Sequence, residues 1–273
     1  MWRSDLHAER SSDVLRESLD AAGEELWLIN PTYETMAELV DLLRETDSAL
    51  PQTPLRIFAA DRPCKKLADD FLLASVTADL ISAGHVELRT LETPPRHSLL
   101  LTSEAVISLI ECEQRVAGLS TTRDEFVESA YDEYQQRWRR AEAFTLRTPP
   151  LSEIRETLTE DIGPETATDF DRALKTLASV DGERIDEVTL SLLVAANNSE
   201  LLYEISRWGE DIRLASKATF SRNKNQLEEM EFIDTEKVPI DVGRPRLRLV
   251  LGDEVRGEDI TDVIEDAQSE LGG

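Results

Sequence analysis

Lysine is nearly absent from this chain: of 30 basic residues only six are Lys, against 24 Arg. Cysteine and histidine are equally scarce. Cys64 and Cys112, with His7, His85 and His97, are too few and too far apart for a metal-ligand spacing or a disulfide framework. No metal or cofactor is therefore expected, and buried thiols in a reducing compartment are. No apolar run approaches the roughly 18 residues of a membrane span, and the first residues lack a signal peptide's apolar core. These absences predict a soluble cytoplasmic protein with no membrane partner. A glycine-rich phosphate loop is missing too, since the stretch Ala22, Gly23, Glu24, Glu25 carries two carboxylates and lacks the glycine spacing.

What the chain has in excess is carboxylate. Its 56 acidic residues give a formal charge of −26 over 273 residues, which argues against global attraction to nucleic acid or anionic lipid. Any polyanion partner must be met by a local basic patch. A hydrophobic content of 40% is enough for packed cores, so this is not an acidic disordered chain. Carboxylate excess with little Lys predicts work in high salt, where a large net charge is screened over roughly 3 Å.

The hydrophobic pattern divides the chain. An opening helix is predicted across residues 6–19, then strands at 26–29, 55–60 and 86–91 alternate with helical stretches, the second at 67–81. That alternation implies βαβ units and a mostly parallel sheet. Closely spaced strands at 97–102, 105–110 and 116–120 follow as an antiparallel meander. Residues 122–143 then predict a long helix with Phe126, Tyr134 and Trp138 as its aromatic stripe, either core or a dimer seam. Pro149 and Pro150 cannot continue that helix and mark a boundary. The predicted domains are 1–147, an α/β unit; 148–185, a linker with connecting helices; 186–252, a unit of three helices and two strands; and 253–273, an acidic tail that is either a terminal helix or frayed.

The strongest signal lies in the third unit. Two helices, near 186–196 and 199–208, precede the run SKATFSRNKNQLEEMEFI at 216–233. Between Ile212 and Gln226 there are four basic residues and no acidic one, although about one residue in five of the chain is a carboxylate. Lys217, Thr219, Ser221, Arg222, Asn223 and Gln226 present donors, amides and hydroxyls suited to a major groove. Two strands, 235–240 and 246–251, come next. Arg244, between Gly243 and Pro245, is expected at the hairpin tip, and Arg246 with Arg248 on its outer side, all within a carboxylate-free stretch. Three helices and a basic hairpin predict a winged helix-turn-helix that binds double-stranded promoter DNA, as a homodimer because one such unit reads few base pairs.

The run at 216–233 resembles the recognition helix of MarR-, ArsR- and TrmB-like prokaryotic regulators. In that pattern Glu231 replaces a Gly and Lys224 a core aliphatic. From Leu201 to Leu251, and in its Arg-rich acidic character, the chain resembles the haloarchaeal TbsP-type regulators more closely. That resemblance implies transcriptional control of sugar and central carbon metabolism. The N-terminal unit is similar to the phospholipase-D-like effector domains of TrmB-like regulators. Their His-x-Lys motif has a single counterpart here, His97 followed at position 99 by Leu99, so no catalytic residues and no enzyme activity are expected.

A small-metabolite effector is expected at the carboxyl edge of the first two strands, where Asn30, Tyr33, Asp61 and Arg62 fall. The competing reading is a salt-adapted protein whose winged helix binds protein rather than DNA.

Overall fold

The computed structural model describes residues 5–8, 11–21, 25–45, 54–112, 115–179, 185–239 and 245–271. The chain divides into two units, Met1–Leu146 and Arg147–Gly273.

The first unit is built on a seven-stranded sheet of order β1-β7-β6-β5-β2-β3-β4, with β1 at Asp5–Ala8, β2 at Trp27–Ile29, β3 at Leu55–Ala59, β4 at Val86–Thr90, β5 at Ser98–Leu101, β6 at Val106–Cys112 and β7 at Arg115–Thr121. β2, β3 and β4 run parallel, connected through α2 (Tyr33–Glu45) and then α3 (Asp61–Asp69) and α4 (Phe71–Ser82). The other four interfaces are antiparallel, so the parallel character expected of most of the sheet is confined to these three strands. The reason is that β5 returns beside β2 and carries the meander outward on that side. Residues 5–8 form a strand on β7, where a helix was expected, and α1 begins only at Ser11 (Ser11–Ala21). A helix expected at 67–81 is broken at Asp70, which leaves helical φ and ψ and whose carboxylate accepts from Leu73 N at 3.1 Å, capping α4.

α5 (Asp124–Arg140) covers the sheet with Val127, Tyr134 and Trp138, all buried. Trp138 makes edge contacts with Trp27 and Phe58 at 5.2 and 5.3 Å between centroids, forming the aromatic centre of the core. Phe126 lies one residue off this stripe and is 55% exposed, which splits the expected aromatic face in two. Arg89 closes the far end of α5: its Nη1 donates to the carbonyls of Trp138 (2.8 Å) and Ala141 (3.2 Å).

The second unit comprises α6 (Leu151–Asp161), α7 (Pro164–Ala178), α8 (Glu187–Asn197), α9 (Leu202–Asp211), α10 (Lys217–Glu229), the hairpin β8 (Ile233–Val238) and β9 (Arg246–Leu251), and α11 (Ile260–Leu271). α8 is buried from Val188 to Ala196 because α7, α9, α10, α11 and β9 all pack on it. Residues 148–185 are more than a linker, since Trp208 Nε1 of α9 donates to Thr157 of α6 at 3.0 Å. Nor is the acidic end a tail. Ile260, Val263, Ile264 and Ala267 of α11 are buried, Gln268 accepts from Ile185 N at 2.9 Å, and Arg172 pairs with Asp259 at 2.5 Å.

Ser199 and Glu200 do not start α9, as their side chains suggest. Ser199 takes a left-handed φ of 56° that closes α8, and Glu200 with Leu201 runs extended beside β9: Leu249 N donates to Glu200 O at 2.9 Å, and Leu201 bridges Arg248. Long-range pairing with β9 decides this segment.

Candidate nucleic-acid interface

Three helices and a hairpin, in the order α8, α9, α10, β8, β9, make up a winged helix-turn-helix. α9 and α10 meet through a turn at 212–216 in which Arg213 is exposed at a φ of 62°. Gly209 makes their close crossing feasible: a Cβ there would lie 2.4 Å from Cε2 and Cζ of the Phe220 ring, which is fully buried. Ser216 caps α10, its Oγ accepting from Thr219 N at 3.2 Å, and the helix has no acidic residue in its first turn. Its outward N-terminus therefore keeps its positive partial charge.

The outer face of α10 carries Lys217, Ala218, Ser221, Arg222, Asn225 and Gln226, all exposed. Arg222 has no ion-pair partner among the described residues. Residue type alone does not single out Asn225, but it lies four residues from Ser221 and three from Arg222 and so shares their face. Thr219 is half-buried at the edge, within 3.0 Å of the Ser216 hydroxyl. Lys217 is tied to Glu210 of α9 at 2.7 Å. That hydrogen bond raises the ammonium pKa and lowers that of the carboxyl, so a phosphate would have to displace Glu210.

Asn223 is a correction. It is 6% exposed on the inner face, with Nδ2 donating to both carboxylate oxygens of Asp186 (3.1 and 3.0 Å) and to Thr189 Oγ1 at 3.2 Å. One hundred degrees per residue turns it away from Arg222 and into the contact with α8. Lys224 is buried likewise, where the related pattern has an aliphatic residue, and pairs with Glu228 at 2.5 Å.

In the hairpin, Leu249 and Leu251 are buried and Leu247 is half-buried, while Arg248 is exposed. Arg246 is half-exposed, lies 4.8 Å over the Tyr203 ring and pairs with Glu204 at 3.3 Å, so two partners on α9 fix its direction. Arg244 lies outside the described residues.

In the first unit, Asn30, Tyr33 and Arg62 line one cleft of about 530 Å³ with Glu34, Lys66, Arg96 and His97. Asp61 does not line it. It begins α3 on the outer side, paired with Lys65 at 2.6 Å. Asn30 has a φ of 52° and is pinned by Phe58 O, Pro95 O and the Ser98 hydroxyl, all within 3.0 Å. Cys64 is buried, and desolvation, aided by Asp61, pushes its thiol up to about 12, so it stays protonated and is a poor nucleophile. Among the described residues no group of His, Cys, Asp or Glu is placed to hold a metal ion, and no helix is long and apolar enough to cross a membrane.

No curated protein matches the chain. Among solved structures it is similar over 52% of its length to TrmBL2, described as an archaeal chromatin protein with a novel mode of DNA binding, at 17% identity and a TM-score of 0.39. The match covers 54% of that chain, about half its length. It is also similar over 52% of its length to Nuc, a phospholipase D family member from Salmonella typhimurium, at 13% identity and a TM-score of 0.36, covering 97% of that chain. Residues 3–149 match the family described as transcriptional regulator TbsP-like, N-terminal, and residues 150–268 its C-terminal helix-turn-helix domain. With more than half of its residues matched by the first of these alone, this chain belongs to the TbsP-like transcriptional regulators.

Proposed function

We propose that the chain is a site-specific regulator that binds double-stranded promoter DNA as a homodimer, in a halophilic cytoplasm, and reads bases with the outer face of α10. Arg222, Ser221, Asn225 and Gln226 make base contacts, Lys217 and Thr219 contact the adjoining backbone, and the hairpin arginines Arg244, Arg246 and Arg248 grip phosphates or the minor groove. One observation carries this reading. In a chain of net charge −26, the exposed N-terminal half of α10 has no carboxylate and holds an arginine with no ion-pair partner among the described residues. An ordinary solvent-facing helix of such a protein would be acidic.

The first unit acts as a non-catalytic sensor of a small metabolite, and the target genes belong to sugar and central carbon metabolism, an assignment carried over from the family resemblance. Dimerisation follows from the short stretch of DNA that one winged helix reads.

The test is chromatin immunoprecipitation with sequencing of the wild type beside an Arg222→Ala/Arg244→Ala double variant, in cells at their native salt. Discrete promoter peaks that vanish in the variant are expected. Absence of peaks from both would replace this reading by a winged helix that binds protein.

A further inference from the structure

In the cleft of the first unit the protein's charge balance is inverted locally. Its described lining residues include Arg62, Lys66, Arg96 and His97, against a single carboxylate, Glu34. Glu34 is already neutralised by Lys66 at 3.2 Å. Neither Arg62 nor Arg96 has an ion-pair partner among the described residues, though the chain offers nearly two carboxylates for every cation. Two exposed guanidinium groups left unpaired beside one cavity leave a net positive site in a strongly negative protein. An anion is the complementary ligand.

The backbone adds to this. α2 and α3 both begin at the cleft, with Tyr33 and Glu34 of one and Arg62 and Pro63 of the other in its wall. α2 is capped by Thr32, whose Oγ1 accepts from Thr35 N at 3.1 Å, but α3 has no side-chain cap. Pro63 has no N–H and Cys64 N donates to Ala60 O, so the N–H groups of Asp61 and Arg62 are the ones available to an acceptor from outside the chain. The wall is also preformed, because the hydrogen bonds of Asn30 fix the loop between β2 and α2 and join it to the segment that carries Arg96 and His97. A volume of about 530 Å³ is larger than a bare inorganic ion needs and lies in the range of metabolite sites.

We propose that this cleft binds a small phosphorylated metabolite, with Arg62 and Arg96 clamping the phosphate, the α3 N-terminus donating to its third side, and Asn30, Tyr33 and His97 facing the organic part. This rests on the reading of the first unit as a metabolite sensor and names the ligand class. Bidentate guanidinium contacts favour phosphate over chloride, which is the competition that molar salt imposes.

The experiment is calorimetric titration of the full chain in molar KCl with glucose 6-phosphate, inorganic phosphate and glucose as probes, on the wild type, Arg62→Ala, Arg96→Ala, the double variant and Arg222→Ala. Arg62 and Arg96 are exposed, so their removal leaves the fold intact, and circular dichroism verifies it. Saturable binding of the sugar phosphate is expected, weaker binding of inorganic phosphate and none of glucose. Each single variant should lose about tenfold, the double variant all binding, and Arg222→Ala nothing. No binding of either phosphate probe, or binding that the double variant retains, would overturn the proposal. Saturable glucose binding that the variants leave unchanged would overturn the phosphate assignment while the sensor reading stands.

Discussion

The amide of Asn223 donates to both carboxylate oxygens of Asp186, at 3.1 and 3.0 Å, and fastens α10 to the start of α8. Asp186 simultaneously caps α8, accepting from Thr189 N at 2.7 Å. The angle at which α10 leaves the domain core, and so the direction in which Arg222 faces, is fixed by this polar joint as well as by Phe220 and Leu227.

Asn223→Ala therefore acts on stability and not on base choice. Removing the amide, which is itself buried, loses its hydrogen bonds to Asp186 and Thr189, at a cost of about 1 kcal/mol. The thermal midpoint of the full chain in molar KCl should fall by several degrees. The operator sequence selected from a random DNA pool should be unchanged.

Arg222→Ala and Asn225→Ala should do the reverse. Loss of one bidentate base contact costs about 1–3 kcal/mol of discrimination, so preference at one operator position relaxes while the melting curve stays in place. Arg248→Ala should weaken binding to all sequences alike and make its salt dependence shallower. Competition binding with single-base operator variants over a KCl series separates the two behaviours.

Gly209→Ala tests the crossing of α9 and α10. The added methyl would stand 2.4 Å from a ring that is fully buried, so the helices must part. Overpacking of this kind costs about 1–3 kcal/mol. The variant should melt earlier and lose operator affinity, and Gly209→Ala combined with Phe220→Leu should recover part of both.

Glu231 occupies the left-handed region at a φ of 62°, at the position where the related recognition-helix pattern has Gly. Glycine removes the steric cost of that conformation, about 1 kcal/mol. Glu231→Gly should raise the thermal midpoint slightly without altering DNA affinity. A lower midpoint would show that the Glu231 side chain makes a compensating contact.

The pH dependence of the second unit has opposing contributions. Burial, with Asp186 beside it, raises the pKa of Glu187 at the start of α8. The folded state then binds that proton more tightly than the unfolded state, so this contribution to stability is lost as pH rises from the ordinary glutamate range through the raised value. Asp259 is opposite: Arg172 and the Thr261 amide hold it well below the usual aspartate range, and the stability it contributes at neutral pH is lost on acidification. Glu187→Gln should raise the midpoint at neutral pH and steepen the net loss on acidification. Melting curves of both proteins from neutral pH down through the ordinary aspartate range provide the check.

Legible in the chain alone are the boundary at Pro149 and Pro150, the helical run from Ser216 and the carboxylate-free window around Arg222. These depend on residue type and near-neighbour spacing, which the chain states directly. The remaining features come from packing between distant segments. It turned Asn223 inward onto Asp186, drew Leu201 beside β9, made residues 5–8 a strand on β7, docked α11 on α7 and α8, and gathered Arg62, Arg96 and His97 around one cleft. Each joins residues remote in sequence, and no local period encodes such a partner. A polar side chain on a helix is equally suited to DNA and to a carboxylate of a neighbouring helix, and what it faces is settled by the packing of the other helices.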